Sequence, residues 1–126
     1  MKPLWIVLIL AVAGASIAAE KKADIEVLEA TAHRGETLIS LEGRIRNGSE
    51  KPIKELTLLF NFMAPGKQVI TTQKIQIDEE LLEPGQVVPF HVELNAPPRS
   101  VMFSIDAVDA AQRELRMGKS GPYPIE

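Results

Sequence analysis

The chain has no cysteine, and its aromatic content is thin: one tryptophan, one tyrosine and four phenylalanines in 126 residues. Without cysteine it has no disulfide, no thiolate nucleophile and no N-terminal cysteine to carry a lipid. Histidine is scarce too. His33 and His91 are the only imidazole bases, and neither has a local partner pattern. No serine sits in a G-x-S-x-G elbow, so no local pattern for nucleophilic or imidazole-assisted catalysis is present and the chain reads as non-catalytic. Acids outnumber bases, 17 to 14, with both signs interspersed. No basic run and no basic patch with interleaved aromatics is present, which excludes a nucleic-acid surface.

What is present begins with an apolar leader. Lys2 gives a short positive start, Leu4 to Ala13 an apolar core, and Ser16 to Ala19 a small-residue exit. That layout predicts a secretory signal peptide helix over residues 1–19 and an extracytoplasmic (periplasmic or secreted) protein. The run falls short of the roughly 20 apolar residues of a spanning helix. Cleavage after Ala19 and retention as an anchor are both open, and the membrane enters only through this segment if it is uncleaved. Residues 20–119 then form one domain, with 120–126 an extended, partly mobile tail.

Period-two alternation dominates the domain. Ile39, Leu41, Gly43 and Ile45 fall on one face, and so do Leu56, Leu58, Phe60 and Phe62. Phe90, Val92 and Leu94 alternate with His91 and Glu93, and Val101, Phe103, Ile105 and Ala107 with Met102, Ser104 and Asp106. Asp24 to Ala32, Val69 to Ile77 and Arg113 to Met117 are further strand candidates. The separators carry turn chemistry: Asn47-Gly48-Ser49 with Pro52, Ala64-Pro65-Gly66-Lys67, Glu83-Pro84-Gly85-Gln86, and Ala96-Pro97-Pro98-Arg99. Asp78 to Leu82 reads as a single helical turn capped by Asp78. Residues 106–115 read either as a helix or as a strand ending near Val108 with a turn over 109–112, and the second is preferred. Seven strands in about a hundred residues predict an all-β, mostly antiparallel two-sheet sandwich.

The run Leu41-Glu42-Gly43-Arg44-Ile45-Arg46-Asn47-Gly48-Ser49, the strand Leu56 to Phe62, and the later Leu82-Glu83-Pro84-Gly85 with Phe90 resemble the FxLYD-type immunoglobulin-like modules of bacterial extracytoplasmic proteins. The similarity covers roughly 39–105. Phe60-Asn61-Phe62-Met63-Ala64-Pro65-Gly66 departs from it in lacking the tyrosine–aspartate element before the loop glycine. The resemblance implies an immunoglobulin-like antiparallel β-sandwich, and an accessory or interaction module with no catalytic residue.

Four local patterns bear on chemistry. Gly118-Lys119-Ser120 matches the end of a phosphate-binding loop, but Arg113 stands where the first glycine is needed and no helix follows. His91 and Met102, both on outward faces, match the first half of an exported copper-chaperone motif. Pro124 replaces its second histidine, so no metal and no cofactor is expected and copper trafficking is the alternative function. Asn47-Gly48-Ser49 matches a glycosylation acceptor and is read as a turn. Val69 to Ile77 has no proline and little charge, and Leu59 is apolar on an otherwise polar face. Together Leu59 and Thr72 mark a candidate edge for pairing with another envelope or secreted protein.

Overall fold

The computed structural model describes residues 22–95 and 98–126. The leader expected over 1–19 lies outside them, as does part of the proline loop at 96–97. The described chain is all-β and forms ten strands: β1 Ile25–Arg34, β2 Ile39–Asn47, β3 Ile53–Lys54, β4 Thr57–Ala64, β5 Gln68–Gln76, β6 Leu81–Leu82, β7 Val87–Leu94, β8 Met102–Val108, β9 Met117–Gly118 and β10 Tyr123–Pro124. Two four-stranded sheets carry the fold, in the orders β7-β2-β1-β9 and β10-β8-β4-β5, with β3 and β6 as a separate short pair.

Alternation becomes burial because each sheet has one covered face. Leu41, Ile45 and Ile25 of the first sheet and Leu58, Phe60, Phe62, Phe103 and Ile105 of the second are fully buried. Phe60 bridges the sheets, its ring 5.6 Å from Phe90 and 6.3 Å from Phe103. Val92 and Leu94, expected inside with the others, are half-buried at the end of β7. The two Pro-Gly separators are tight turns: Gly66 and Gly85 take φ of 88° and 80°, and Lys67 N and Gln86 N donate back to Ala64 O and Glu83 O.

Gly43 has a different reason. A bulge in β1 between Val27 and Glu29 pushes the Glu29 carbonyl toward β2. A Cβ on Gly43 would stand 2.1 Å from that oxygen and 2.8 Å from the Phe90 ring.

Three expectations change. The helical turn over 78–82 is absent, because Leu81–Leu82 pairs with Ile53–Lys54 and sends Leu82 into the core. One isolated turn cannot outweigh that burial. The strand expected over 113–117 is broken into a bridge between Val108 and Glu114 and the short β9, which runs parallel to β1. The strand ending at Val108, by contrast, is as expected.

Residues 120–126 are extended but are no loose tail. Tyr123–Pro124 pairs with Met102–Phe103, and Ile125 N donates to Val101 O. Glu126 N donates to Ala32 O, while Arg34 N donates to Glu126 O. The segment from Glu114 onward therefore laces β8 of one sheet to β1 of the other and closes that side of the sandwich.

A candidate interaction edge

With one side laced shut, β7 and β5 remain as the outer strands on the other among the described residues. They differ in chemistry. Asn47 N donates to Gln86 O, so the antiparallel register of β2 and β7 turns the backbone nitrogens of Val87 and Pro89 away from β2. Pro89 thus removes a donor from the open side of β7, the usual protection of an edge.

No such block exists on β5. Its nine residues, Gln-Val-Ile-Thr-Thr-Gln-Lys-Ile-Gln, hold one charge and neither proline nor glycine. Ile77 N donates to Leu56 O, which fixes the alternation along the β4–β5 pair. Thr71, Gln73 and Ile75 direct their amides at β4, and Thr72, Lys74 and Gln76 direct theirs outward. Val69 and Ile70, at the start of the strand, are 54% and 39% exposed.

The outer face beside this edge is a polar ladder. Thr72 Oγ1 donates to Asn61 Oδ1 at 2.8 Å, and Asn61 Nδ2 donates to Asp106 Oδ2 at 2.8 Å and Ser104 Oγ at 3.2 Å. Leu59 lies one row along, opposite Lys74 on one side and Asp106 on the other, and is half-buried. Leu59 and Thr72 therefore share one face. Asn61 and Asp106, which hold Thr72 in place, were not singled out from sequence, since only the long-range register of three strands brings them together.

The copper pair is not assembled. His91 lies on the outer face of the first sheet, its Nε2 3.3 Å from Ser40 Oγ. Met102 lies on the outer face of the second, opposite Met63. The hydrophobic core stands between them, and sheets stack about 10 Å apart, so one ion cannot take both ligands. Among the described residues no three His, Asp or Glu side chains gather as a metal site.

Asn47 is a fastener. It is fully buried; Nδ2 donates to Lys51 O and Leu82 O, and Oδ1 accepts from Ser49 N and Ser49 Oγ. That leaves no free amide nitrogen for a glycan. Gly118-Lys119-Ser120 forms no phosphate cradle either: Ser120 O accepts from Ile105 N and Lys119 O accepts from the Tyr123 hydroxyl.

At one end of the sandwich a cleft of about 670 Å³ opens between residues 22–24, 49–54 and 109–116. Its rim mixes Lys51, Lys54 and Arg116 with Asp24, Glu50 and Glu114. Asp109 is nearly buried there. It accepts from the amides of Ala111 and Arg113 and pairs with the Arg113 guanidinium at 2.9 Å. Those donors, the Arg113 amide foremost, hold its carboxyl below the ordinary value of 3.8.

No family model and no curated protein matches the sequence. Solved structures do. The C-terminal domain of Wzt is similar at a TM-score of 0.53 and 8% identity, over 82% of this chain and 74% of that one. IrmA from Escherichia coli is similar at 0.49 and 13%, over 81% and 95%. β-Glucuronidase 2 from Bacteroides uniformis is similar at 0.47 and 15%, but the match spans 75% of this chain and 12% of the enzyme. At 8% identity the likeness to the Wzt domain supports the fold alone, an immunoglobulin-like β-sandwich, and brings no activity with it.

Proposed function

We propose that the chain is an exported, non-catalytic immunoglobulin-like module of the cell envelope that engages a protein partner through the open edge of β5. The observation that carries this reading is the contrast between the two outer strands: β7 holds Pro89 at an outward position, while β5 offers outward amides at Thr72, Lys74 and Gln76. A long strand left unblocked is a template for an added strand, with backbone pairing for affinity and alternate side chains for selectivity. The apolar leader supports export, and the resemblance to FxLYD-type modules supports an accessory role.

The test is capture from solubilised cell envelope with the wild-type chain and Thr72→Pro in parallel, with the intact mass of the recovered chain. A discrete partner strand, whether from a second copy of the chain or from another envelope protein, held by wild type and lost by a folded Thr72→Pro chain is the expected result. Equal capture by both removes β5 from the function. The mass reports whether residues 1–19 are present in the native protein.

A further inference from the structure

We infer that the strand added to β5 is β5 of a second copy of this chain, paired antiparallel about a two-fold axis through Thr72, so that two sheets join into one of eight strands. This rests on the edge reading and names its occupant. An interface between identical copies about a two-fold must be self-complementary, and β5 is. About Thr72, Thr71 meets the partner's Gln73, and Ile70, where the register shift ends the regular pairing, lies beside the partner's Lys74. Polar residues face polar ones at the centre of the pairing, and Ile70 faces Lys74 at each end. There the lysine lays its methylene stem along isoleucine and keeps its ammonium in water.

Charge disfavours a competing register. Lys74 is the only charge on β5, and like charges placed directly opposite destabilise a strand pair. A two-fold at Lys74 would set the two lysines against each other. The two-fold at Thr72 separates them by four positions, about 14 Å along the strands. It also sets Thr72 on Thr72, a favourable cross-strand pair, and joins the two Thr72–Asn61–Asp106 ladders end to end.

Closure follows from the other edge. Pairing of β5 with β7 of the next copy would propagate as an open filament, and Pro89 blocks it. The β4–β5 register shift makes Ile70 the extra residue of β5 and twists the strand there, which limits close pairing to Ile70–Lys74 of each copy. An interface of that extent belongs with small, transient ones, so the dimer is reversible.

The absence of cysteine makes the test direct. In the Thr72 register the two Thr72 residues form a hydrogen-bonded pair with Cα atoms about 5.5 Å apart, inside the span of about 4.4–6.8 Å that a disulfide bridges. The two Gln76 residues lie about 27 Å apart. Purified Thr72→Cys and Gln76→Cys chains are oxidised mildly at matched concentration, and wild type and Thr72→Pro are compared by sedimentation. The expected result is a linked dimer from Thr72→Cys alone, with self-association of wild type reduced roughly tenfold or more in Thr72→Pro. Linking of Thr72→Cys no greater than that of Gln76→Cys overturns the proposal. So does undiminished association of Thr72→Pro. If that variant does not fold, Lys74→Pro removes the neighbouring outward amide and is read the same way. Failure here is separable from failure of the edge itself: capture of an envelope protein that Thr72→Pro abolishes would leave β5 as the docking edge and remove only the second copy.

Discussion

Single residues hold this fold where patterns end. Asn47 closes β2 with four hydrogen bonds, tying the 49–51 turn and the carbonyl of Leu82 to one buried amide. Asn47→Ala removes the side-chain partner of the Leu82 carbonyl and the Ser49 amide and leaves the Lys51 carbonyl to Ser49 Oγ alone, and the expected loss is about 3 kcal/mol, read from the denaturant midpoint. Asp109 sets a pH dependence. Its carboxyl titrates lower in the folded chain than in the unfolded one, so its stabilising contribution is fully present above the ordinary value of 3.8 and is lost as pH falls through the folded value. Unfolding free energy measured from pH 6 downward falls below about pH 4, and Asp109→Asn removes that part of the slope. The Gly43-x-Ile45-x-Asn47 run is visible in sequence, but its reasons are not. The glycine answers a bulge in another strand and the ring of Phe90, and the asparagine answers a carbonyl 35 positions away.

At the scale of elements, the long strands are legible because each buries one face, which writes a period of two into the sequence. Short pairs leave no such trace. Leu81–Leu82 reads as easily as a helical turn, and only its pairing with Ile53–Lys54 decides. The candidate edge is half legible: the lack of proline and the low charge of Val69–Ile77 mark it. Which amides face outward depends on the register with β4, and the protection of β7 depends on which side Pro89 presents. His91 and Met102 fail as a pair for a related reason, since alternation says that both point outward but not from which sheet. Thr72→Pro removes no bond to β4 and only the hydroxyl contact to Asn61, so it is expected to cost about 1–2 kcal/mol and to leave the circular dichroism of a folded sheet. Loss of the fold in both Thr72→Pro and Lys74→Pro would contradict the assigned register.

The whole molecule is asymmetric, with one side laced by residues 114–126 and the other left with two strand edges. The lacing is the least legible part of the chain, because Gly118-Lys119-Ser120-Gly121-Pro122 has neither apolar alternation nor turn-bounded strands of its own. Its partners, β1 and β8, lie far away in sequence. Deleting residues 120–126 removes Tyr123 and Ile125 from the edge of the core and unpairs Ala32, Arg34, Val101 and Ile105. The expected loss is about 3–5 kcal/mol, measured by chemical denaturation; a loss below 1 kcal/mol would make the segment the loose tail that its composition suggests.

The central claim is that β5 is open in the free chain and covered when the protein works. Residue-resolved amide hydrogen exchange reads it directly, first on dilute free protein and then on the captured or concentrated form. The account predicts fast exchange at Thr72, Lys74 and Gln76 beside protected Thr71, Gln73 and Ile75 in the free chain, with Thr72 and Lys74 becoming protected on association. Protection of all six in the dilute chain, or no change at Thr72 and Lys74 on association, would contradict it.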